Sequence, residues 1–600
     1  MITLFSRFFC AAVVFAALPL CADVRVEGGP GRWALVRDGK PYFVKGVGGD
    51  GSWELLAKAG GNSVRTWGHE KLGEQLDRAQ KLGLTVTAGI WLGQVRQGFD
   101  WSDAASLIKQ RETVRAAVMK HKDHPALLAW ALGNEMEDPE GANGAVWSEI
   151  NNLARMVKAL DGKHPVMTVV AELGGKKVAN FHALCPDVDV LGINSYAGGE
   201  SVGTRYAKLG GTKPYLLTEF GPPGIWEVQK DDVGAFRELT SSAKGAWYRK
   251  AYRGAVTGNA GVCLGSYAFM WGQKQEVTAT WFSILLADDT RLGAADVLTE
   301  LWTGRAPANR CPVIDSLELA GAEGRALFKP GTTVRLALKA SDPEGDALSV
   351  KWELLADGEV YGTGGDAEAA AHSHADAVVK SNATSAEVKL PADGGLYRVA
   401  VTVRDGKGGA AVANFPIRVD APEQIAKGAP AKLPLVVYAE ADDAQTYIPS
   451  GWMGNAKAMK LDPASKEQPK TGATCLRCEF NDTSGWGAVA WQNPAQDWGD
   501  KRGGYDLSAA KRLVFDARGA NGGEEVTFGF GTIGKEKRFH DTAKRSLGKV
   551  TLAPEWRQFE VKLDDVKSPE DLTRIKTGFL FSVAASGKPV VFYLDNIRWE

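Results

Sequence analysis

Apolar and polar positions follow two different rhythms along this chain, and the change of rhythm divides it. Up to about residue 305, short unbroken apolar runs alternate with longer stretches of helical period. Unbroken runs of four to eight residues predict strands buried on both faces, and the alternation predicts βα units around a parallel sheet. The runs predict strands over 44–48, 63–67, 85–91, 127–132, 166–170, 188–196, 214–221 and 261–271. Helical patterns fall at 53–59, 71–81, 104–120, 146–160 and 243–257. Eight strands over roughly 260 residues fit a (β/α)8 barrel. Ahead of them, 33–36 and 42–44 flank the turn Arg37-Asp38-Gly39-Lys40-Pro41 and predict a strand pair leading into the barrel.

From 306 to 422 the helical period disappears and short alternating runs take over, such as 333–338 and 397–403. This predicts a small Ig-like β-sandwich. Residues 364–386, rich in Ala, His and Ser, read as a loop inside it. A Pro/Ala/Lys-rich linker at 423–434 leads to a second β-rich region, 435–600, which closes on the apolar run 590–599. The fold expected is therefore multidomain: a barrel over 23–305, then the sandwich, then a β-jelly-roll module.

Length agrees, since 600 residues exceed what one core supports. Charge is nearly balanced, with 71 basic and 72 acidic residues, and no basic tract points to nucleic acid. Residues 1–22 read as a cleaved export leader, with Arg7 followed by an apolar stretch from Phe8 to Leu20. A secreted or periplasmic protein is expected. Lipid anchoring at Cys21 ranks second, because Leu20 stands where a small residue is wanted. No later segment reaches the ~18 apolar residues of a membrane span. Beyond the leader, Cys185, Cys263, Cys311, Cys475 and Cys478 form no disulfide framework. Cys475 and Cys478 are spaced as CxxC but lie in a strand-like run, where they face opposite ways.

The chemistry is carried by strand ends. The run from Leu127 stops at Gly133-Asn134-Glu135, and the run from Pro214 stops at Glu219. Barrel enzymes keep their reacting groups at the C-terminal ends of strands. Two glutamates from strands four and seven suit the pair of carboxylates that flank a glycosidic bond. Glu135 is read as general acid/base, with a pKa raised by burial and by the charge of Glu219, and Glu219 as nucleophile. Asn134 is placed to bind the sugar 2-hydroxyl. Arg65 and Tyr196 are placed to donate to Glu219. Trp271 is read as a flat floor for a sugar ring, Trp67 and Trp91 as cleft aromatics, and Asn194 as a substrate contact. Glu172 reads equally well as a cleft or a surface residue. No metal or cofactor is expected: His69, His121, His124, His164 and His182 lack paired ligand spacing. Asp342, Asp346 and Asp405 could bind calcium, although turn residues satisfying backbone amides explain them better.

This set, Arg65, Asn134-Glu135, Tyr196, Glu219 and Trp271 at their strand ends, resembles the clan A retaining glycoside hydrolases, which include the family 2 and family 5 types. The turn Asp38-Gly39-Lys40-Pro41-Tyr42-Phe43 looks like the entry to family 2 barrels. The N-terminal jelly-roll and sandwich domains of family 2 are missing here, which speaks against a simple β-galactosidase or β-glucuronidase. The later regions look like a PKD- or cadherin-like sandwich and a galactose-binding-like carbohydrate-binding module. Trp452, Trp486, Trp491, Trp498 and Tyr505 are its candidate sugar-stacking or core aromatics. Such appendages imply a polymeric or oligomeric substrate, with β-1,3-linked glucan favoured. A β-glucanosyltransferase using the same site is the alternative, with Trp91, Trp226 or Trp281 as acceptor-side aromatics. A non-catalytic secreted glycan-binding protein is the other.

Overall fold

The computed structural model describes residues 22–95, 99–320, 326–357, 361, 368, 370–420, 427–441, 446–535, 537, 539–563 and 572–600. The expected leader lies outside them except for Ala22. The chain forms two compact units. The first runs up to Gly221 and adds Arg249–Phe269 and Leu301–Thr303. The second holds Pro222–Tyr248, Met270–Glu300 and Gly304–Glu600.

The first unit contains the barrel. Eight parallel strands close on themselves: β4 (Val44–Gly48), β5 (Ser63–Arg65), β6 (Thr85–Ile90), β7 (Leu127–Leu132), β8 (Val166–Ala171), β9 (Val190–Asn194), β10 (Tyr215–Glu219) and β11 (Cys263–Phe269). Each expected strand is present, with ends that agree to within two residues. Every residue of β7, Leu-Leu-Ala-Trp-Ala-Leu, is buried, because helices cover one face and the barrel interior the other. Each such apolar side chain contributes about 1.5–3 kcal/mol by leaving water.

A three-stranded antiparallel sheet precedes the barrel: β1 (Val24–Glu27), β2 (Ala34–Arg37) and β3 (Lys40–Tyr42). The strand pair expected from the sequence corresponds to β2 and β3, and β1 adds a third strand. Its Val24, with Leu35 of β2, joins Val44, Leu128, Met167, Val190, Leu216 and Leu264 in one apolar cluster. Inside the barrel, Tyr267 is fully buried and satisfies its hydroxyl on Ser63 Oγ (2.9 Å) and Thr87 Oγ1 (2.5 Å).

Among the described residues, eight α-helices connect these strands or follow them: α1 (Trp53–Lys58), α2 (Leu72–Lys81), α3 (Ala104–His121), α4 (Gly144–Leu160), α5 (Lys177–Leu184), α6 (Val202–Lys208), α7 (Ser241–Ala251) and α8 (Gly293–Thr303). Side chains close the starts of two of them: Asp103 accepts from the Ser106 amide ahead of α3, and Asn143 from the Ala145 amide ahead of α4. Helices α5 and α6, at eight and seven residues, were too short for their period to show.

The second unit holds the two β-rich regions. The sandwich spans strands from Val313–Leu319 to Ala410–Val419 in two four-stranded sheets. Its strand Thr333–Ser341 turns Val334, Leu336 and Leu338 inward and Thr333 and Arg335 outward, as strict alternation requires. The expected loop 364–386 contains a strand, Val378–Ser381, while 364–367 and 369 lie outside the described residues. The module packs a six-stranded sheet and a five-stranded sheet around Phe480, Trp491, Phe515, Phe528, Phe579, Phe592 and Trp599. Cys475 and Cys478 are both buried and free. Among the described residues, no helix is long and apolar enough to cross a membrane.

Candidate active site

The groups singled out at the strand ends of the first unit converge in one hydrogen-bond network. Glu219 is the last residue of β10 and is 7 % exposed. Its Oε1 accepts from Arg65 Nη1 at 2.9 Å and from Trp67 Nε1 at 3.0 Å, and its Oε2 accepts from the Tyr196 hydroxyl at 2.7 Å. Both carboxylate oxygens are thus oriented by donors. Arg65 ends β5, is 1 % exposed, and also donates to the Thr218 carbonyl at 3.1 Å. Its other nitrogen, Nη2, donates to Asn134 Oδ1 at 2.6 Å.

Asn134 passes the network to the second carboxylate. Asn194 Nδ2 lies 3.2 Å from Asn134 Oδ1 and donates to Glu135 Oε1 at 2.6 Å. Thr218 Oγ1 donates to Asn194 Oδ1 at 2.8 Å, which fixes how that amide is turned. The chain from Glu219 to Glu135 therefore passes through three side chains: Arg65, Asn134 and Asn194.

The two carboxyl groups sit in different surroundings. Burial pushes Glu135 up to about 7, and the negative charges of Glu219 and Glu137 push the same way. The Asn194 hydrogen bond and the positive charge of Arg65 pull it down, but by less. Glu135 is therefore poised to hold a proton near neutral pH while Glu219 sits among donors.

Local backbone aims Glu135. After β7 the chain turns through Gly133 at φ +72° and Glu135 at φ +53°. A Cβ on Gly133 would sit 2.0 Å from Met136 Sδ, so a larger residue would have to push the Met136 side chain aside and hold a left-handed φ that glycine adopts freely. The Glu135 amide donates to the Val169 carbonyl of β8 at 2.9 Å, which anchors the left-handed residue.

Aromatic rings enclose the network. Arg65 lies 5.1 Å from the centre of the Trp67 ring, and Phe269 meets the rings of Trp67 and Tyr196 edge-on at 5.9 and 6.1 Å. The structure thus brings together Arg65, Trp67, Asn134, Glu135, Asn194, Tyr196 and Glu219. Trp91 is half-buried one residue beyond β6. Trp271 belongs to the second unit and is 0 % exposed, so as it stands no ring face is open to a sugar, unlike the floor expected. Trp281, also in that unit, is 3 % exposed and donates to the Pro223 carbonyl; Trp226 is 58 % exposed.

Three residues that touch the network carry no mark in the sequence. Thr218 and Phe269 read as ordinary strand residues. Gln94, whose Nε2 donates to the Asn134 carbonyl at 2.7 Å, lies in a loop with no pattern. Asn194 was read as a substrate contact, yet its amide is engaged with Glu135. Glu172 accepts from Ser195 Oγ and Arg205 at 2.5 and 2.6 Å.

Elsewhere, Asp342 and Asp405 serve turns, and Asp346 pairs with Lys407 at 2.5 Å. Asp342 accepts from the Glu344 and Asp346 amides, and Asp405 from the Lys407 and Gly409 amides. Among the described residues, no cluster of three or more His, Cys, Asp or Glu could hold a metal ion. The module's aromatics divide: Trp491 is core, whereas Trp452 and Trp486 are 41 % and 50 % exposed on adjacent strands.

Two segments match family models. Residues 52–226 match the glycosyl hydrolases family 2, TIM barrel domain. Residues 436–600 match carbohydrate binding domain 30. Among curated proteins, the chain is similar to the β-glucuronidase of Mus musculus, 31 % identical over 235 residues, which is 34 % of each chain. It is also similar to the β-glucuronidase of Sus scrofa, 29 % identical over 180 residues, 26 % of each. The chain thus spans about a third or less of the length of these relatives. Among solved structures, a β-glucuronidase from Dictyoglomus thermophilum aligns at 20 % identity and a TM-score of 0.38, covering 47 % of this chain and 54 % of that one. The β-glucuronidase 2 of Bacteroides uniformis aligns at 12 % and 0.37, covering 96 % and 67 %.

Proposed function

We propose that this chain is a retaining β-glycosidase that cleaves a β-linked glucan, β-1,3-linked first, by double displacement. The observation that carries this reading is the single network joining two carboxyl groups of opposite character. Glu135 gives its proton to the leaving glycosidic oxygen while Glu219 attacks the anomeric carbon. A covalent glycosyl-enzyme forms on Glu219. Glu135, now a carboxylate, takes a proton from water, which attacks the same carbon and frees Glu219. Asn134 lies between the two acids, where a 2-hydroxyl contact strengthens at the transition state. The same intermediate passes its sugar to an acceptor hydroxyl in the glucanosyltransferase alternative.

The family 2 barrel match supports β-glycoside chemistry, and the carbohydrate-binding match supports a glycan substrate. The glucan preference rests on the module and on the use of Arg65: its guanidinium is committed to Glu219, Asn134 and a carbonyl rather than held for a sugar carboxylate. The names of the relatives supply the second reading, a β-glucuronide. Product analysis on β-1,3- and β-1,4-glucans, aryl β-glucosides and aryl β-glucuronides separates the two. Hydrolysis confined to the glucuronide would overturn the glucan assignment. Glu219→Gln is expected to abolish turnover with the fold intact, and measurable turnover by that variant would overturn the nucleophile. Failure of the wild-type chain on every β-glycoside, with retained glycan binding, would leave a binding protein. Export through 1–22 is part of the proposal; the intact mass of the mature protein should correspond to a start at Asp23.

A further inference from the structure

The loop between β7 and α4 carries another carboxylate, two residues beyond the acid/base. The Glu137 side chain is 3 % exposed and that of Lys177 is 6 %, with charged ends 3.2 Å apart. Glu137 Oε1 also accepts from the Ala171 amide at 2.9 Å. Lys177 opens α5, and its ammonium donates to the carbonyls of Ala171 and, at 3.3 Å, of Glu172. Ala171 is the last residue of β8, the strand that also receives the Glu135 amide. One ion pair thus pins the acid/base loop to the end of its neighbouring strand. A buried pair of this kind adds little stability, because desolvation offsets the attraction. Its place beside Glu135 points to a different use.

We propose that Glu137 and Lys177 are positioning residues for Glu135: the pair holds the loop that carries Glu135 against the end of β8 and so sets where the Glu135 carboxyl stands in the network. This rests on the glycosidase reading above. Asn194 from β9 donates to Glu135, and the charges that act on it are those of Glu219 from β10, Glu137 from its own loop and Arg65 from β5. Burial and the two carboxylates favour the protonated form, and Arg65 and Asn194 oppose it. Burial also raises Glu137, and the adjacent Lys177 works against that rise and favours its charged form.

The test is the full chain with Glu137→Gln, and with Glu137→Gln/Lys177→Gln, which leaves no unpaired buried charge should the single variant fail to fold. Two measurements are made. The first is kcat/KM against pH for an alkyl and a dinitrophenyl β-glycoside. The second is an infrared titration of the Glu135 carboxyl, identified by its loss in Glu135→Gln. The expected result is a fall of about half a pH unit or more in the Glu135 midpoint and in the basic limb. Above that limb the alkyl glycoside then loses about threefold or more, and the dinitrophenyl glycoside, which needs no acid to leave, loses less. An unmoved midpoint in both variants, with only a lower melting temperature, would make the pair structural and overturn the proposal. A wild-type chain inert towards every glycoside would instead overturn the glycosidase reading, and the carboxyl titration would still decide the pair.

Discussion

Tyr196, Trp67 and Arg65 donate to Glu219, whereas Asn194 donates to a Glu135 that burial and two neighbouring charges hold near neutrality. Two identical side chains thereby acquire different chemistry from their neighbours. The sign of the pH dependence follows. In the proposed reaction Glu135 must be protonated to assist departure, its pKa is raised to about 7, and so kcat/KM should be full below that value and fall as pH rises through it. In Glu135→Ala this limb should vanish for substrates with activated leaving groups, and azide should restore part of their turnover as an external nucleophile. A pH profile with and without azide checks both. Tyr196→Phe removes one charge-assisted hydrogen bond from Glu219. The expected loss in kcat/KM is about 1.5–3 kcal/mol, roughly ten- to a hundredfold, read from steady-state kinetics.

At the scale of elements, β7 and the turn that follows it do most to place Glu135. The strand was legible because burial on both faces leaves an unbroken apolar run, and its stop at Gly133-Asn134-Glu135 marks the rim. The left-handed turn was not legible, because glycine is compatible with many conformations. Gly133→Ala would force a Cβ into Met136 at 2.0 Å with φ at +72°. It should cost about 1–3 kcal/mol in chemical denaturation and reduce activity beyond that loss, since the strain falls on Glu135. An activity fall that merely tracks unfolding would show that the turn does not aim the side chain. Helix α5, unseen in the sequence for want of length, turns out to supply Lys177 to the same loop.

At the scale of the molecule, the sandwich and the module have separate apolar cores, so a change in one should leave the other folded. The module's aromatics had two readings in sequence, core or sugar platform, because a tryptophan in a Gly/Asn/Asp context fits both. Geometry divides them. Trp491 packs against Phe579 and Phe581, while Trp452 and Trp486 stand open on neighbouring strands. If the proposed glucan reading holds, replacing Trp452 and Trp486 by Ala in the full chain should lower binding to insoluble glucan by about 1–3 kcal/mol of stacking, with turnover of short oligosaccharides unchanged. Pull-down on insoluble glucan beside soluble-substrate kinetics measures the difference. An equal loss on both substrates would mean that the two rings serve structure.

The amino-acid sequence by itself determined the barrel, the order of its strands and the acids at two of their ends, because burial on both faces and the rim position each leave a local mark. Which of its aromatics are open, how Asn194 is turned, and that Glu137 and Lys177 meet beside the acid/base were decided by tertiary structure alone. These depend on partners distant along the chain, and no local pattern of apolar and polar residues records who those partners are.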